Sequence, residues 1–301
     1  MQKVGFYIFY VFIWVITLLP FCCYYLLSDF VFFIIYHVFG YRKKVVFSNL
    51  KNSFPEKSEK ELKAIEKKFY KHLVDIFLES FKTIHLTKNQ VEKRWTYENL
   101  EVFDELKAKN KNVLMVSAHY GNWEWFTFFG HIVDYKFLAL YKPLTSGNFD
   151  NFLRNLRVKF GMETVSMDTA YKRMLTLKKD NINNIVWFAA DQAPPKDSQF
   201  WTTFLNQETP FFLGPEKLAK KLDYSIVYLD VYREKRGYYK AKFTLLFENT
   251  KDTQEYEITR KHIKHLETVI KDRPELWLWS HKRWKHQRPE GIELLDLEVK
   301  N

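Results

Sequence analysis

The sequence predicts an α/β protein, with a mixed, mainly parallel sheet flanked by helices and an N-terminal membrane helix. Three observations carry this. Short apolar runs, each closed by a break, recur along residues 113–229 and read as buried strands. Segments with helical periodicity alternate with them, the pattern of a sheet covered on both faces. Val4 to Leu27 holds 24 residues without a charge.

The charge-free run comes first in the chain. As a helix it extends about 36 Å, enough to cross a hydrocarbon core of about 30 Å. Pro20 kinks or ends it. Asp29 interrupts, and Phe30 to Phe39 forms a second apolar stretch too short to span alone. A cleaved signal peptide fits poorly, since the run follows one lysine and no small-x-small site closes it. Cys22 and Cys23, the two cysteines, lie inside the run and read as membrane-buried thiols. Neither a disulfide framework nor a four-thiolate zinc site can be built from them. Arg42, Lys43 and Lys44 follow the second stretch directly. By the positive-inside rule they put the remaining chain on the cytoplasmic side, whether the anchor is a spanning helix, a hairpin or an interfacial helix. The expected division is an anchor over 1–40 and a catalytic domain over 41–301.

Beyond the anchor, Lys60 to Phe81 is helical, with Leu62, Ile65, Phe69, Leu73, Ile76 and Phe77 on one side. Val113 to Ala118, Phe137 to Leu140, Ile185 to Ala190 and Ile226 to Leu229 are strands. Asn148 to Phe160 and Thr169 to Lys179 are helices between them. Tyr238 to Phe247 is an alternating strand after the Gly237 turn, and Gln254 to Ile270 is a basic helix.

Composition narrows the function. With 47% hydrophobic and 28% charged residues the chain is not disordered. The formal net charge of +11 calls for an anionic partner: nucleic acid, anionic lipid or an acidic protein. The first forty residues are net neutral, so the whole excess lies beyond them. Its bases are spread along the chain rather than gathered in a nucleic-acid motif, which disfavours a membrane-tethered nucleic-acid-binding protein. His262 and His265 stand at i, i+3 on the basic helix, but further metal ligands are not evident, so they read as a solvated face. No P-loop, His-Glu-x-x-His or dinucleotide fingerprint is present, and neither a metal nor a cofactor is expected.

The chemistry concentrates in Ser117-Ala-His-Tyr-Gly-Asn-Trp-Glu124, directly after the Val113 strand. Loops at strand carboxyl ends are where sites lie in open α/β sheets. His119 titrates near neutral pH and suits a general base. A tight turn at Gly121 and a helix start near Asn122 let Glu124 return to one imidazole nitrogen and support the imidazolium. No Ser or Cys nucleophile is evident in the loop, which leaves a substrate hydroxyl as the nucleophile. The bland readings are a core histidine and an ordinary first-turn glutamate.

The wider run is more specific. His119-Tyr-Gly-Asn-Trp-Glu124, Tyr141-Lys-Pro143, Arg157-Val-Lys-Phe-Gly161, Asp191-Gln192 and Trp277-Leu-Trp-Ser-His-Lys-Arg-Trp-Lys285 follow in this order. Upstream stand Gly40-Tyr-Arg-Lys-Lys44, Asn49-Leu50 and Phe54-Pro55. Together they resemble the lipid A late acyltransferases of the glycerolipid acyltransferase superfamily, over nearly the whole chain. Lys142 departs from an arginine frequent in the family, and Asn206 stands where glycine is common.

The resemblance implies O-acyl transfer at the cytoplasmic face of a bacterial inner membrane. An acyl thioester, on acyl carrier protein or coenzyme A, gives its chain to a hydroxyl of a lipid A precursor. An ornithine lipid or another glycolipid is the alternative acceptor. His119 and Glu124 are then the catalytic pair. Gly121 and Asn122 supply backbone amides for the oxyanion. Lys142, Arg157, Asp191 and Gln192 line the substrate site. Arg157 serves the oxyanion or a phosphate. Asp191 forms a turn or organises charge by pairing Arg157. Trp277 to Lys285 contacts anionic headgroups, or packs its tryptophans inward as an amphipathic last helix.

Overall fold

The computed structural model describes residues 2–143 and 146–298. Its first two helices are α1 (Gln2–Ile16) and α2 (Phe21–Phe33), and α2 runs on as a π-helical segment, Ile34–Phe39. Pro20 separates them, in extended geometry at the N-cap of α2. Pro20 thus ends the first apolar helix as expected, but the second one does not stop at Leu27. The one helix among the described residues long and apolar enough to cross a membrane is instead Phe21–Phe39, of 19 residues. Asp29 does not interrupt it, because its carboxylate is held 2.9 Å from Arg236.

The next helices are α3 (Lys43–Ser53) and α4 (Glu59–Lys82). Ser58 and Glu61 form a capping box that starts α4 where the sequence places it. Tyr24, Ser28, Phe32 and Tyr36, every fourth residue of the long apolar helix, are buried, with α2 lying on α4. Three of them bond α4: Tyr24 to the Leu78 carbonyl at 2.6 Å, Ser28 to Asp75 at 2.7 Å and Tyr36 to Glu66 at 3.4 Å. Lys82 donates to the Thr17 and Leu19 carbonyls at the α1–α2 break.

Then follow α5 (Lys88–Glu92), β1 (Trp95–Glu98), α6 (Glu101–Ala108), β2 (Val113–Ser117), a 3-10 helix (Trp123–His131) and β3 (Lys136–Tyr141). Next are α7 (Gly147–Val158), β4 (Glu163–Ser166), α8 (Ala170–Lys179), β5 (Asn184–Ala189), β6 (Trp201–Phe204) and β7 (Gln207–Pro210). The chain ends with α9 (Gly214–Leu222), β8 (Ser225–Lys235), β9 (Tyr238–Phe247), α10 (Glu257–Asp272) and the short β10 (Leu294–Leu295).

The main sheet has the order β1-β9-β8-β2-β5-β3-β4. Its five strands from β8 to β4 are parallel, β9 is antiparallel to β8, and β1 runs with β9. This is the predicted mixed, mainly parallel sheet. Every residue of the central β2 is buried. Leu114 and Val116 join the core on one face, Val113 and Met115 that on the other, as a strand covered on both sides requires. A second sheet, β10-β6-β7, turns at Leu205 and Asn206 with φ of 49° and 61°. Asparagine tolerates that left-handed geometry, which suits Asn206 to this turn.

Two expectations are corrected. His262 is buried, and His265 Nε2 lies 2.8 Å from Asp230 on β8, so these face the sheet rather than water. Trp277 to Lys285 is not a helix. Trp277, Trp279 and Arg283 are buried, with Arg283 donating to the Pro210 carbonyl at 2.6 Å. These side chains point into the protein rather than to headgroups, so the inward packing of the tryptophans holds without the helix.

Candidate active site

The register of β2 and β5 builds the site. Ser117 pairs with Ala189, so the residues two places beyond each strand end, His119 and Asp191, emerge side by side. His119 Nδ1 lies 2.7 Å from Asp191 Oδ1, and the His119 amide donates to Asp191 Oδ2 at 3.0 Å. Trp277 Nε1 donates to the same Oδ2 at 2.9 Å. Gln192 Nε2 lies 3.3 Å from His119 Nε2. An amide nitrogen only donates, so this contact matches a neutral imidazole with its proton on Nδ1 and its lone pair on Nε2.

The electrostatics are those of an orienting acid. Burial works against the imidazolium, but the Asp191 charge and hydrogen bond outweigh it and hold the imidazole above its ordinary 6.5. Burial likewise opposes the Asp191 carboxylate. The His119 charge and three hydrogen bonds overcome that and bring Asp191 down to about 2. Asp191 is thus favoured as the carboxylate near neutral pH.

Glu124 is placed differently from expectation. It does not return to the imidazole; it lies in the first turn of the 3-10 helix and meets Arg157 of α7, with Nη2 to Oε1 at 2.9 Å. The 3-10 winding begins at Asn122, whose Oδ1 accepts from Trp125 N at 3.0 Å. Arg157 is therefore not paired with Asp191. The Glu124 charge is what chiefly raises the guanidinium pKa.

The Gly121 amide is committed within the fold, and the Asn122 side chain has a structural partner. The Gly121 amide is spent on the Leu276 carbonyl at 3.0 Å, so it is not available to an oxyanion. Gly121 has φ +62°, and a Cβ there would collide with the Val231 carbonyl. Asn122 donates its Nδ2 to the buried Glu79 at 2.7 Å. Glu79 also accepts from Tyr25 of α2 and Tyr239 of β9, each at 2.6 Å. Burial, then the Asp75 charge, pushes Glu79 up to about 7.

A cavity of ≈ 380 Å³ opens beside His119. Lys142, Arg157 and Gln192 line it, so three of the six expected substrate-site residues meet His119 there, together with Glu124. Lys142 follows the end of β3, a neighbour of β5, and is exposed. Asp191 sits behind the imidazole and is not among the lining residues. Sequence reasoning missed Arg154, which shares the cavity wall. Its i, i+3 spacing to Arg157 on a predicted helix is the signal that finds it. It also missed that Trp277 holds Asp191. The upstream motifs serve that segment: Arg42 Nη1 donates to the Ser280 carbonyl at 2.9 Å and Asn49 Nδ2 to that of Trp279 at 2.9 Å. Among the described residues no group of three or more metal-ligating side chains is assembled.

A histidine backed by an aspartate at the carboxyl ends of central parallel strands, facing a cavity walled by arginines, is equipped for proton transfer from a substrate. The model of the bacterial lipid A biosynthesis acyltransferase family matches residues 1–286, and the chain belongs to that family. It is an acyltransferase acting on lipid. Among solved structures, the 1-acyl-sn-glycerophosphate (LPA) acyltransferase PlsC from Thermotoga maritima is similar at 14% identity. That likeness covers 84% of this chain and 97% of that one, with a TM-score of 0.38. No curated protein matches the chain.

Proposed function

We propose that the protein moves a fatty acyl chain from an acyl carrier protein thioester to a hydroxyl of a lipid A precursor, with His119 as general base. The observation that carries this is the His119–Asp191 contact of 2.7 Å in a histidine that lines the cavity, its Nε2 beside Gln192. The acceptor hydroxyl gives its proton to Nε2 as its oxygen attacks the thioester carbonyl. The tetrahedral intermediate expels the carrier thiolate, which takes the proton from the imidazolium, leaving ester and free thiol. Asp191 fixes the tautomer and stabilises the imidazolium. Arg157, held in place by Glu124, supplies fixed positive charge for the oxyanion or an acceptor phosphate. Arg154 and Lys142 offer further positive charge to the anionic acceptor.

Residues 1–40 anchor the catalytic domain, 41–301, to the cytoplasmic face of the inner membrane. The support is the exposed apolar flank of α1 and α2, including Val11, Phe12, Leu26, Phe30 and Phe33, with the basic Arg42-Lys-Lys44 following.

The test incubates membranes carrying the protein with labelled acyl carrier protein thioester and a lipid A precursor, beside the His119→Ala form. A labelled, more hydrophobic lipid A that requires His119 is the expected product. Label passing to another lipid would discard the lipid A acceptor, and transfer that persists without His119 would discard the base.

A further inference from the structure

The structure holds a second charged cleft, separate from the cavity at His119. It lies between α4, the β8–β9 turn and the segment after α10, against Asp29 of α2, with a volume of ≈ 360 Å³. Six cations line it, Lys68, Lys71, Arg233, Lys235, Arg236 and Arg273, with four carboxylates, Asp29, Asp75, Glu234 and Glu275.

Each carboxylate has a cation of its own. Arg236 forks between Asp29 and Asp75, at 2.9 and 2.7 Å, and Arg233 reaches Asp75 at 2.9 Å. Glu234 meets Lys240 at 3.3 Å and Glu275 meets Arg273 at 3.7 Å. Lys68, Lys71 and Lys235 have no anionic partner among the described residues. Lys71 and Lys235 rest over the rings of Phe32 and Tyr238, at 5.5 and 4.2 Å. Three lysines without an ion pair thus line one recess whose arginines are held by ion pairs. A phosphate is the anion that such a set of donors suits.

The place of the cleft identifies the source of that phosphate. Asp29 sits on the long apolar helix, and its neighbours Leu26, Phe30 and Phe33 are 70%, 61% and 55% exposed. The cleft therefore adjoins the flank that we assign to lipid. We infer that it binds the phosphate headgroup of an anionic bilayer phospholipid, seating the catalytic domain on the membrane independently of the substrate cavity. This goes beyond the acyl-transfer reading and rests on the membrane-anchor reading of residues 1–40.

The experiment partitions the full-length protein between vesicles of phosphatidylcholine and vesicles in which phosphatidylglycerol is mixed with it. Lys68→Ala, Lys71→Ala and Lys235→Ala are combined in one variant. A control variant combines Lys172→Ala, Lys179→Ala and Lys217→Ala on α8 and α9, which removes the same charge elsewhere. Unchanged melting temperatures establish that both fold. Each juxtamembrane lysine contributes about fivefold to binding of anionic lipid, so the cleft variant should lose on the order of 100-fold of the preference for phosphatidylglycerol. The control should keep most of it. Equal losses in both variants would overturn the site and leave only diffuse attraction. Inorganic phosphate is titrated in parallel. Lysine-dependent binding of phosphate with an unchanged vesicle preference would overturn the lipid assignment in favour of a free anion.

Discussion

Asp191 Oδ1 lies 2.7 Å from His119 Nδ1, while Glu124, the acid of the His-x-x-x-x-Glu spacing, lies 2.9 Å from Arg157. Two acids thus divide two tasks. The strand register that sets Ser117 beside Ala189 delivers Asp191 to the imidazole. The 3-10 turn that follows Asn122 carries Glu124 to α7.

Glu124 and Arg157 should behave as one unit. Glu124→Gln and Arg157→Gln each lower turnover, and the double variant loses less than the sum of the two. The expected coupling is about 0.5–3 kcal/mol. A double-mutant cycle on kcat/KM measures it; strict additivity would separate the pair.

Gly121→Ala should fail structurally before it fails chemically. Its φ of +62° and the Val231 carbonyl beside it leave no room for a methyl group. The expected loss is about 2–4 kcal/mol, read as a fall in the denaturation midpoint.

Glu79 should make stability depend on pH. Its folded pKa, about 7, lies above its ordinary 4.5. The folded state then holds the extra proton between those values, so stability falls as pH rises from about 4.5 through about 7. The drop is on the order of 3 kcal/mol. Glu79→Gln should flatten this part of the profile, and an equal slope in the variant would assign it to other groups.

Most of the main sheet was legible because its central strands are continuous apolar runs. The Val113 strand needs no partner to be recognised. The edge strands Trp95–Glu98 and Glu163–Ser166 were not legible, since each is four residues long and carries polar groups. The apolar helices were misdivided because Asp29 looks like an interruption until Arg236, two hundred residues on, neutralises it. In the site, His119 was legible from its place after a strand. The identity of its acid was not, because proximity in sequence favours Glu124 and only the pairing of β2 with β5 brings Asp191 near. Trp277 was singled out as aromatic, yet its indole contact with Asp191 depends on the fold of the whole C-terminal segment.

The pH profile of kcat/KM tests the assignment of the acid most directly. Neutral imidazole is the base, so activity in the unaltered protein should rise with pH through a midpoint above 6.5. Asp191→Asn removes the charge that holds the imidazole proton. The rising limb should then move to lower pH, and the plateau should fall by about 10²–10⁴-fold. In Glu124→Gln the limb should move far less. A profile that Asp191→Asn leaves unaltered, while Glu124→Gln shifts the limb and lowers the plateau, would contradict the account and return the acid to Glu124.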